Sequence, residues 1–136
     1  ASSELGTRIG KLGGEAEAAL LIEDVIVEAY DAIIFVGGAG AMEYYDNEMA
    51  LGLATEAFEK NKVVAAICIA PRILANAGLL RAVRATCYES EAEALKKAGA
   101  LYQGSSVERE GNIITANGPK AAVKFGELIA KQLLKA

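Results

Sequence analysis

A strand runs directly into a helix at Cys68, and this junction constrains the fold more than any other part of the chain. The apolar run Val63 to Ile67 predicts a buried strand, Pro71 fits the first turn of a helix, and Gly78 is a natural stop for that helix. Such an elbow exposes a thiol above the carboxyl edge of a parallel sheet, where open α/β folds bind ligands, and a helix N-terminus stabilises a thiolate. The alternative is a buried cysteine at a strand end, because free cysteine is among the most buried residue types.

Strands and helices alternate on both sides of this junction. Upstream, Ala32 to Val36 predicts a strand that Gly37-Gly38 ends. Asp46 or Asn47 can cap the helix that follows, which reaches Asn61. Downstream, the patterns predict a strand over 85–88, a helix over 91–98, a strand over 100–103, a hairpin of 107–110 with 113–116, and a last helix after Gly118-Pro119. This alternation implies a mainly parallel sheet with helices on both faces.

The first residues do not follow this pattern. Residues 1–14 carry four glycines and no clear strand, so we expect a loop or a frayed terminus there. The length of 136 residues corresponds to one domain, 1–136. No linker, repeat or low-complexity tract divides it.

Composition excludes several classes of protein. A net charge of -4 with scattered Lys and Arg argues against a nucleic-acid partner, which would require a basic face. The longest apolar stretch, Val63 to Ala70, is far shorter than the about 18 residues that a membrane span needs, so no membrane partner is expected. Cys68 and Cys87 make no disulfide framework, which fits a reducing compartment, and we expect a cytoplasmic location.

The absence of histidine limits the chemistry. With no imidazole there is no Ser-His or Cys-His pair, and the commonest zinc ligand is missing. Any general acid–base catalysis must therefore use carboxylates, Tyr, Lys or water. Neither a metal-ligand cluster nor a phosphate-cradling glycine loop is present, so no cofactor and no metal are expected.

Several short motifs in a fixed order resemble those of one family. They are Tyr30-Asp31-Ala32 leading to Gly37-Gly38, Ala65-Ala66-Ile67-Cys68-Ile69-Ala70-Pro71, Ala77-Gly78-Leu79-Leu80, and Gly111-Asn112-Ile113-Ile114-Thr115. Together they cover most of the chain, and their combination resembles the ThiJ/PfpI superfamily, which includes an intracellular protease and a parkinsonism-associated deglycase. The resemblance implies a flavodoxin-like three-layer sandwich of the class I glutamine amidotransferase type.

The resemblance also implies a site. Cys68 would be the nucleophile at the elbow, and backbone N–H groups near Gly38 and at Ile69 would form an oxyanion pocket. Ile69 stands where the protease-like branch carries a histidine, and Glu43 corresponds to the acid that a neighbouring subunit supplies to it. Tyr88 matches the position of the deglycase branch's histidine. Glu43 and Tyr88 are therefore auxiliary candidates, with a solvated loop carboxylate and a packed strand tyrosine as the alternatives.

Members of this family begin with a strand, a helix and a second strand, and a Glu on the first strand bonds the nucleophilic thiol. The chain has no counterpart of these elements, and Glu15 and Glu17 lie in a different region. We therefore expect a domain that is incomplete at its N-terminus relative to the family.

The resulting functional hypothesis is a cysteine-dependent enzyme without a catalytic histidine. Its substrates would be small carbonyl or acyl compounds, and the reaction would be of the glyoxalase, deglycase or amide hydrolase type. Two alternatives stay open: a non-catalytic redox or stress sensor based on thiol oxidation, and an inert interaction domain. We expect Cys68 and not Cys87 to be the reactive thiol, and we expect a homo-oligomer, a dimer or larger.

Overall fold

The computed structural model describes residues 1–9 and 13–135, and it contains a central sheet of four strands in the order β3-β4-β8-β7. Strands β3, β4 and β8 run parallel, and β7 is antiparallel to β8. Two-stranded pairings of β1 with β2 and of β5 with β6 complete the described strands. The strands are β1 Gly6–Ile9, β2 Glu15–Ala18, β3 Ala32–Val36, β4 Val63–Ile67, β5 Arg84–Ala85, β6 Leu101–Tyr102, β7 Val107–Glu110 and β8 Ile113–Ala116; the helices are α1 Glu48–Glu59, α2 Pro71–Asn76, α3 Ala92–Lys97 and α4 Ala122–Leu134.

Strand β4 is the centre of the molecule, and all five of its residues are buried. Side chains alternate between the two faces of a strand. Val64 and Ala66 accordingly belong to the apolar core beneath α1 and α2, whereas Val63, Ala65 and Ile67 pack with Phe125 and Ile129 of α4. Helices therefore cover both faces of the central sheet, which gives the expected flavodoxin-like three-layer α/β sandwich.

The predicted helix signals explain where α1 and α2 begin. The Asn47 side chain accepts the N–H of Ala50 at 3.0 Å, which caps α1. Pro71 opens α2, where its missing N–H costs nothing, and Gly78 follows the helix with φ of 78°. Strands β3, β4, β7 and β8 have the bounds that the apolar runs predict.

Two expectations about secondary structure are wrong. Residues 1–14 were expected to lack a strand, but Gly6–Ile9 pairs antiparallel with Glu15–Ala18. Backbone hydrogen bonds form this ladder, and Ala18 is the only buried residue in its two strands. For that reason, no pattern of apolar residues marks the two strands in the sequence. The strand expected over 85–88 is limited to Arg84–Ala85, because the next N–H groups bond elsewhere: Thr86 donates to Oγ1 of Thr115 and Tyr88 to the carbonyl of Cys68.

Strand β3 has a hydrogen-bonded neighbour on one side only among the described residues. Its Ile34 and Val36 side chains are 45% and 72% exposed. A cavity of about 500 Å³ lies against this strand, lined on its other side by residues such as Leu20 and Ile22. Strand β4, which carries the elbow, is therefore buried, whereas the neighbouring strand β3 has an unpaired edge with exposed apolar side chains among the described residues.

Candidate active site

Cys68 lies at a strained strand-to-helix elbow. Its φ of 66° is in the left-handed region, which costs a residue other than glycine about 1–2 kcal/mol. Two backbone hydrogen bonds stabilise the residue in this conformation: its N–H donates to the carbonyl of Ala116 at 2.9 Å, and its carbonyl accepts the N–H of Tyr88 at 2.7 Å. The thiol is partly exposed. The backbone strain expected of an elbow is present, and backbone strain clusters at functional sites.

Gly37 provides the space that the elbow occupies. A Cβ atom at Gly37 would lie 2.5 Å from the carbonyl oxygen of Ile67, 2.7 Å from Cβ of Cys68 and 2.9 Å from N of Ile69. Any side chain there would displace the elbow. Sequence reasoning identified Gly37-Gly38 as a turn and selected Gly38, so it missed the packing role of Gly37.

Two backbone N–H groups at this edge of the sheet are free. Within residues 1–9 and 13–135, neither the N–H of Gly38 nor that of Ile69 donates to a protein acceptor. Gly38 has φ of 150°, a conformation that favours glycine, and its carbonyl accepts the N–H of Ala41 as a short 3₁₀ helix begins. Free donors next to a nucleophile are what an oxyanion pocket requires, and that role for Gly38 and Ile69 stays a prediction.

Glu43 lies in the exposed 3₁₀ segment Ala39–Tyr44. Its Oε1 accepts a hydrogen bond from the hydroxyl of Ser3 at 2.6 Å, and this bond, followed by one from Tyr44, lowers the pKa of the Glu43 carboxyl. The described contacts of Glu43 therefore lead to the N-terminal segment. An orienting role across a subunit boundary stays a prediction.

Tyr88 is attached to the elbow by its backbone. Its N–H donates to the Cys68 carbonyl, and its side chain is half-exposed, with the ring near Gly118. Its hydroxyl makes no hydrogen bond to another side chain or to the backbone within the described residues. The auxiliary role of Tyr88 stays a prediction.

The two cysteines differ in environment. Cys87 is 1% exposed, and burial, followed by the charges of Glu91 and Cys68, raises the pKa of its thiol to about 12. A thiol in that state is a poor nucleophile at neutral pH. This contrast supports the choice of Cys68 as the reactive cysteine.

A partly buried ionic cluster beside the elbow was not foreseen. The Glu91 carboxylate accepts hydrogen bonds from Arg72 at 2.9 Å, Tyr45 at 3.2 Å and Ser90 at 2.7 Å. Burial alone raises the pKa of Glu91, but these three hydrogen bonds outweigh burial and lower it overall. Burial and the Glu91 charge raise the pKa of Tyr45 to about 12. Because tertiary folding brings these residues together, no spacing in the sequence predicts the cluster.

The remaining observations concern cavities and metal ligands. Cys68 does not line the cavity against β3 or the one beside Lys60 and Gln132, and a pocket at its sulfur stays a prediction. In the described part of the chain, no group of three or more His, Cys, Asp and Glu side chains could hold a metal ion. No helix among residues 1–9 and 13–135 is both long enough and apolar enough to cross a bilayer.

A flavodoxin-like sandwich with a cysteine at a strained strand-to-helix elbow defines the class of protein. The model of the DJ-1/PfpI family matches residues 1–132, and the chain belongs to that family. The resemblance drawn from its motifs is thereby confirmed.

Relatives show how far the similarity extends. An uncharacterized protein of Methanocaldococcus jannaschii is 43% identical over 98% of this chain and 67% of its own length. A deglycase of Pyrococcus horikoshii is 34% identical over 88% of this chain and 72% of its own length. The crystal structure of a ThiJ/PfpI domain protein from Brachyspira murdochii has a TM-score of 0.96 and 33% identity, covering 98% of this chain and 78% of that one.

Proposed function

We propose that the protein is a cysteine-dependent enzyme that acts on small carbonyl or acyl compounds, in a reaction of the glyoxalase, deglycase or amide hydrolase type. The observation that carries the proposal is the elbow itself: Cys68 is partly exposed with φ of 66° and packs against Gly37, and within the described residues the N–H groups of the adjoining Gly38 and Ile69 have no protein acceptor. The similarity to a protein named a deglycase supports the same reaction class.

The chemistry begins with attack of the Cys68 thiolate on a carbonyl carbon. A C–S bond forms, the C=O π bond breaks, and its electron pair moves to oxygen. The N–H groups of Gly38 and Ile69 stabilise the resulting oxyanion, which then takes a proton from water or from the Tyr88 phenol. An aldehyde gives a hemithioacetal by this route. With an amide, the C=O bond of the tetrahedral adduct re-forms as the C–N bond breaks, and the amine leaves with a proton taken from water. A second water then hydrolyses the Cys68 thioester, which releases the carboxylic acid and returns the thiol. Since the chain has no histidine, it lacks the usual proton shuttle, which is worth about 10²- to 10⁴-fold, and turnover should be slow.

The test is turnover of methylglyoxal and of an activated amide by the parent and two single variants. Cys68→Ser should abolish the activity, and the matched variant Cys87→Ser should keep it, because Cys87 is buried away from solvent. Equal activity of the parent and Cys68→Ser would reject Cys68 as the nucleophile.

Thiol-based sensing is the second candidate, and the absence of histidine favours it. In this case a hydroperoxide oxidises the Cys68 thiolate to a sulfenic acid, and the O–O bond breaks to release water or an alcohol. Mass spectrometry after peroxide treatment distinguishes the two functions. Oxidation confined to Cys68 in a protein without turnover supports the sensor, whereas turnover lost in Cys68→Ser supports the enzyme.

A homo-oligomer, in a cytoplasmic setting, completes the proposal. The open edge of β3 offers unpaired backbone groups and exposed Ile34 and Val36 side chains to a second copy of the chain. Light scattering should show a dimer or larger species, and Val36→Lys should shift it toward monomer. A stable monomer of the parent at micromolar concentration would contradict this part.

A further inference from the structure

We propose that Tyr45, Arg72 and Glu91 form a positioning network that holds the Ile69 residue of the elbow in a fixed place relative to the loop after β3. This inference rests on the proposed function, because it concerns the backbone donors that serve the Cys68 reaction. The network acts through the backbone that carries the donors.

The two proposed donors lie on different segments. Gly38 follows β3, and Ile69 follows β4, so their separation depends on how the two segments pack. Each segment is short and has irregular backbone at the site, with φ of 150° at Gly38 and 66° at Cys68. A structure that holds a substrate oxygen between two such donors needs a cross-link between the segments, since a misplacement of about 1 Å can cost about 100-fold in rate.

Tyr45 supplies that cross-link. It directly follows the 3₁₀ helix that begins after Gly38, and it is 8% exposed. Its hydroxyl lies 3.5 Å from the carbonyl of Ile69, which also accepts the N–H of Arg72 at 3.2 Å. Its own carbonyl accepts the Asn76 side-chain amide of α2 at 2.7 Å. One residue therefore contacts the backbone just before α2 through its hydroxyl and bonds to Asn76, the last residue of that helix, through its carbonyl.

Glu91 and Arg72 hold the Tyr45 ring in place. Oε1 of Glu91 accepts from both Tyr45 and Arg72, and the Arg72 guanidinium lies over the Tyr45 ring at 4.7 Å from its centroid. The Glu91 side chain is 8% exposed, so its charge persists through pairing with Arg72. Stacking and ion pairing restrict the phenol to one orientation, in which its hydroxyl donates to Glu91 and lies beside the Ile69 carbonyl.

The test compares two network variants with two matched controls. Tyr45→Phe removes the hydroxyl that donates to Glu91, and Glu91→Gln removes the charge that pairs with Arg72. Both substitutions preserve side-chain size. Tyr44→Phe removes a neighbouring hydroxyl that contacts Ser2 and Ser3, and Glu93→Gln removes an exposed carboxylate that pairs with Lys96. Each protein is assayed well below its own melting temperature for kcat and KM with methylglyoxal. The Ile69 amide signal is followed in ¹H–¹⁵N correlation spectra.

Tyr45→Phe and Glu91→Gln should each lower kcat about tenfold with KM nearly unchanged, and each should shift the Ile69 amide signal. The double variant should lose little more than either single variant, because the residues act as one unit. Both controls should match the parent. Network variants that change only the melting temperature, with kcat and the Ile69 signal as in the parent, would overturn the proposal.

The amide signal separates this inference from the proposed function. If the parent has no turnover, or if Cys68→Ser keeps it, the enzymatic proposal fails, and the spectra alone decide on the network. A displaced Ile69 signal in Tyr45→Phe but not in Tyr44→Phe then supports positioning, and an unmoved signal in both rejects it.

Discussion

The elbow region and the β3 edge lie in neighbouring strands of one sheet, yet they are held together in different ways. At the elbow, β4 is buried on both faces, and Cys68 is held from two sides by donating its N–H to the Ala116 carbonyl and accepting the N–H of Tyr88. At the edge, β3 has one paired side, and Ile34 and Val36 face solvent. The difference shows that the strained residue Cys68, the proposed nucleophile, lies in the best-packed part of the molecule, beside a strand that is paired on one side only among the described residues.

The largest expected effect is a difference in core stability between these regions. Leu74 of α2 is fully buried beside β4, so Leu74→Ala should lower the free energy of unfolding by about 3 kcal/mol. Ile34→Ala on the half-exposed edge should cost less than about 1 kcal/mol. Chemical denaturation measures both values. Equal losses would show that the edge is packed as tightly as the elbow, contrary to the comparison.

Gly37 connects the two regions, and its substitution should have the next largest effect. Gly37→Ala places a Cβ against the backbone of Ile67 and Ile69, and this overpacking should cost about 2 kcal/mol. Gly40→Ala is the matched control, because a Cβ there meets nothing within 4 Å. Thermal unfolding should separate the two variants clearly. A Gly37→Ala protein as stable as Gly40→Ala would mean that the elbow can move away at little cost.

The smallest effect concerns acid sensitivity at the elbow. Hydrogen bonds outweigh burial and lower the folded-state pKa of Glu91 below its ordinary value of 4.5. A carboxyl of this kind stabilises the fold above its unfolded-state pKa, and the contribution disappears as pH falls through its folded-state pKa. Glu91→Gln should therefore lose less stability than the parent on acidification, by about 1 kcal/mol. Chemical denaturation at a series of pH values measures this effect, and the exposed control Glu93→Gln should show the same pH dependence of stability as the parent. If Glu91→Gln also shows the parent's pH dependence, the assignment of the acid-sensitive contribution to Glu91 is contradicted.

Much of the fold could be predicted because its information is local. Runs of apolar residues marked β3, β4 and β8, the Gly111-Asn112 turn marked the hairpin, and Asn47 and Pro71 marked helix starts. The β1–β2 ladder could not be predicted, because every residue of its two strands except Ala18 is exposed, so neither strand has the buried apolar face that marks a strand in a sequence.

The candidate site divides in the same way. Cys68 could be predicted from a strand end and a helix start, both of which are local signals. The Tyr45–Arg72–Glu91 network could not, because its members come from three separate segments and meet only through tertiary packing. The close approach of Gly37 to the elbow likewise depends on the pairing of β3 with β4.

Competitive labelling of the two thiols tests most directly whether the strained elbow carries the chemistry. The native protein is treated with iodoacetamide at neutral pH, and peptide mapping by mass spectrometry gives the rate of modification at each cysteine. Cys68 should be alkylated first, and Cys87, which is 1% exposed and has a thiol pKa raised to about 12, should react only after unfolding. Faster labelling of Cys87 in the folded protein would contradict the account.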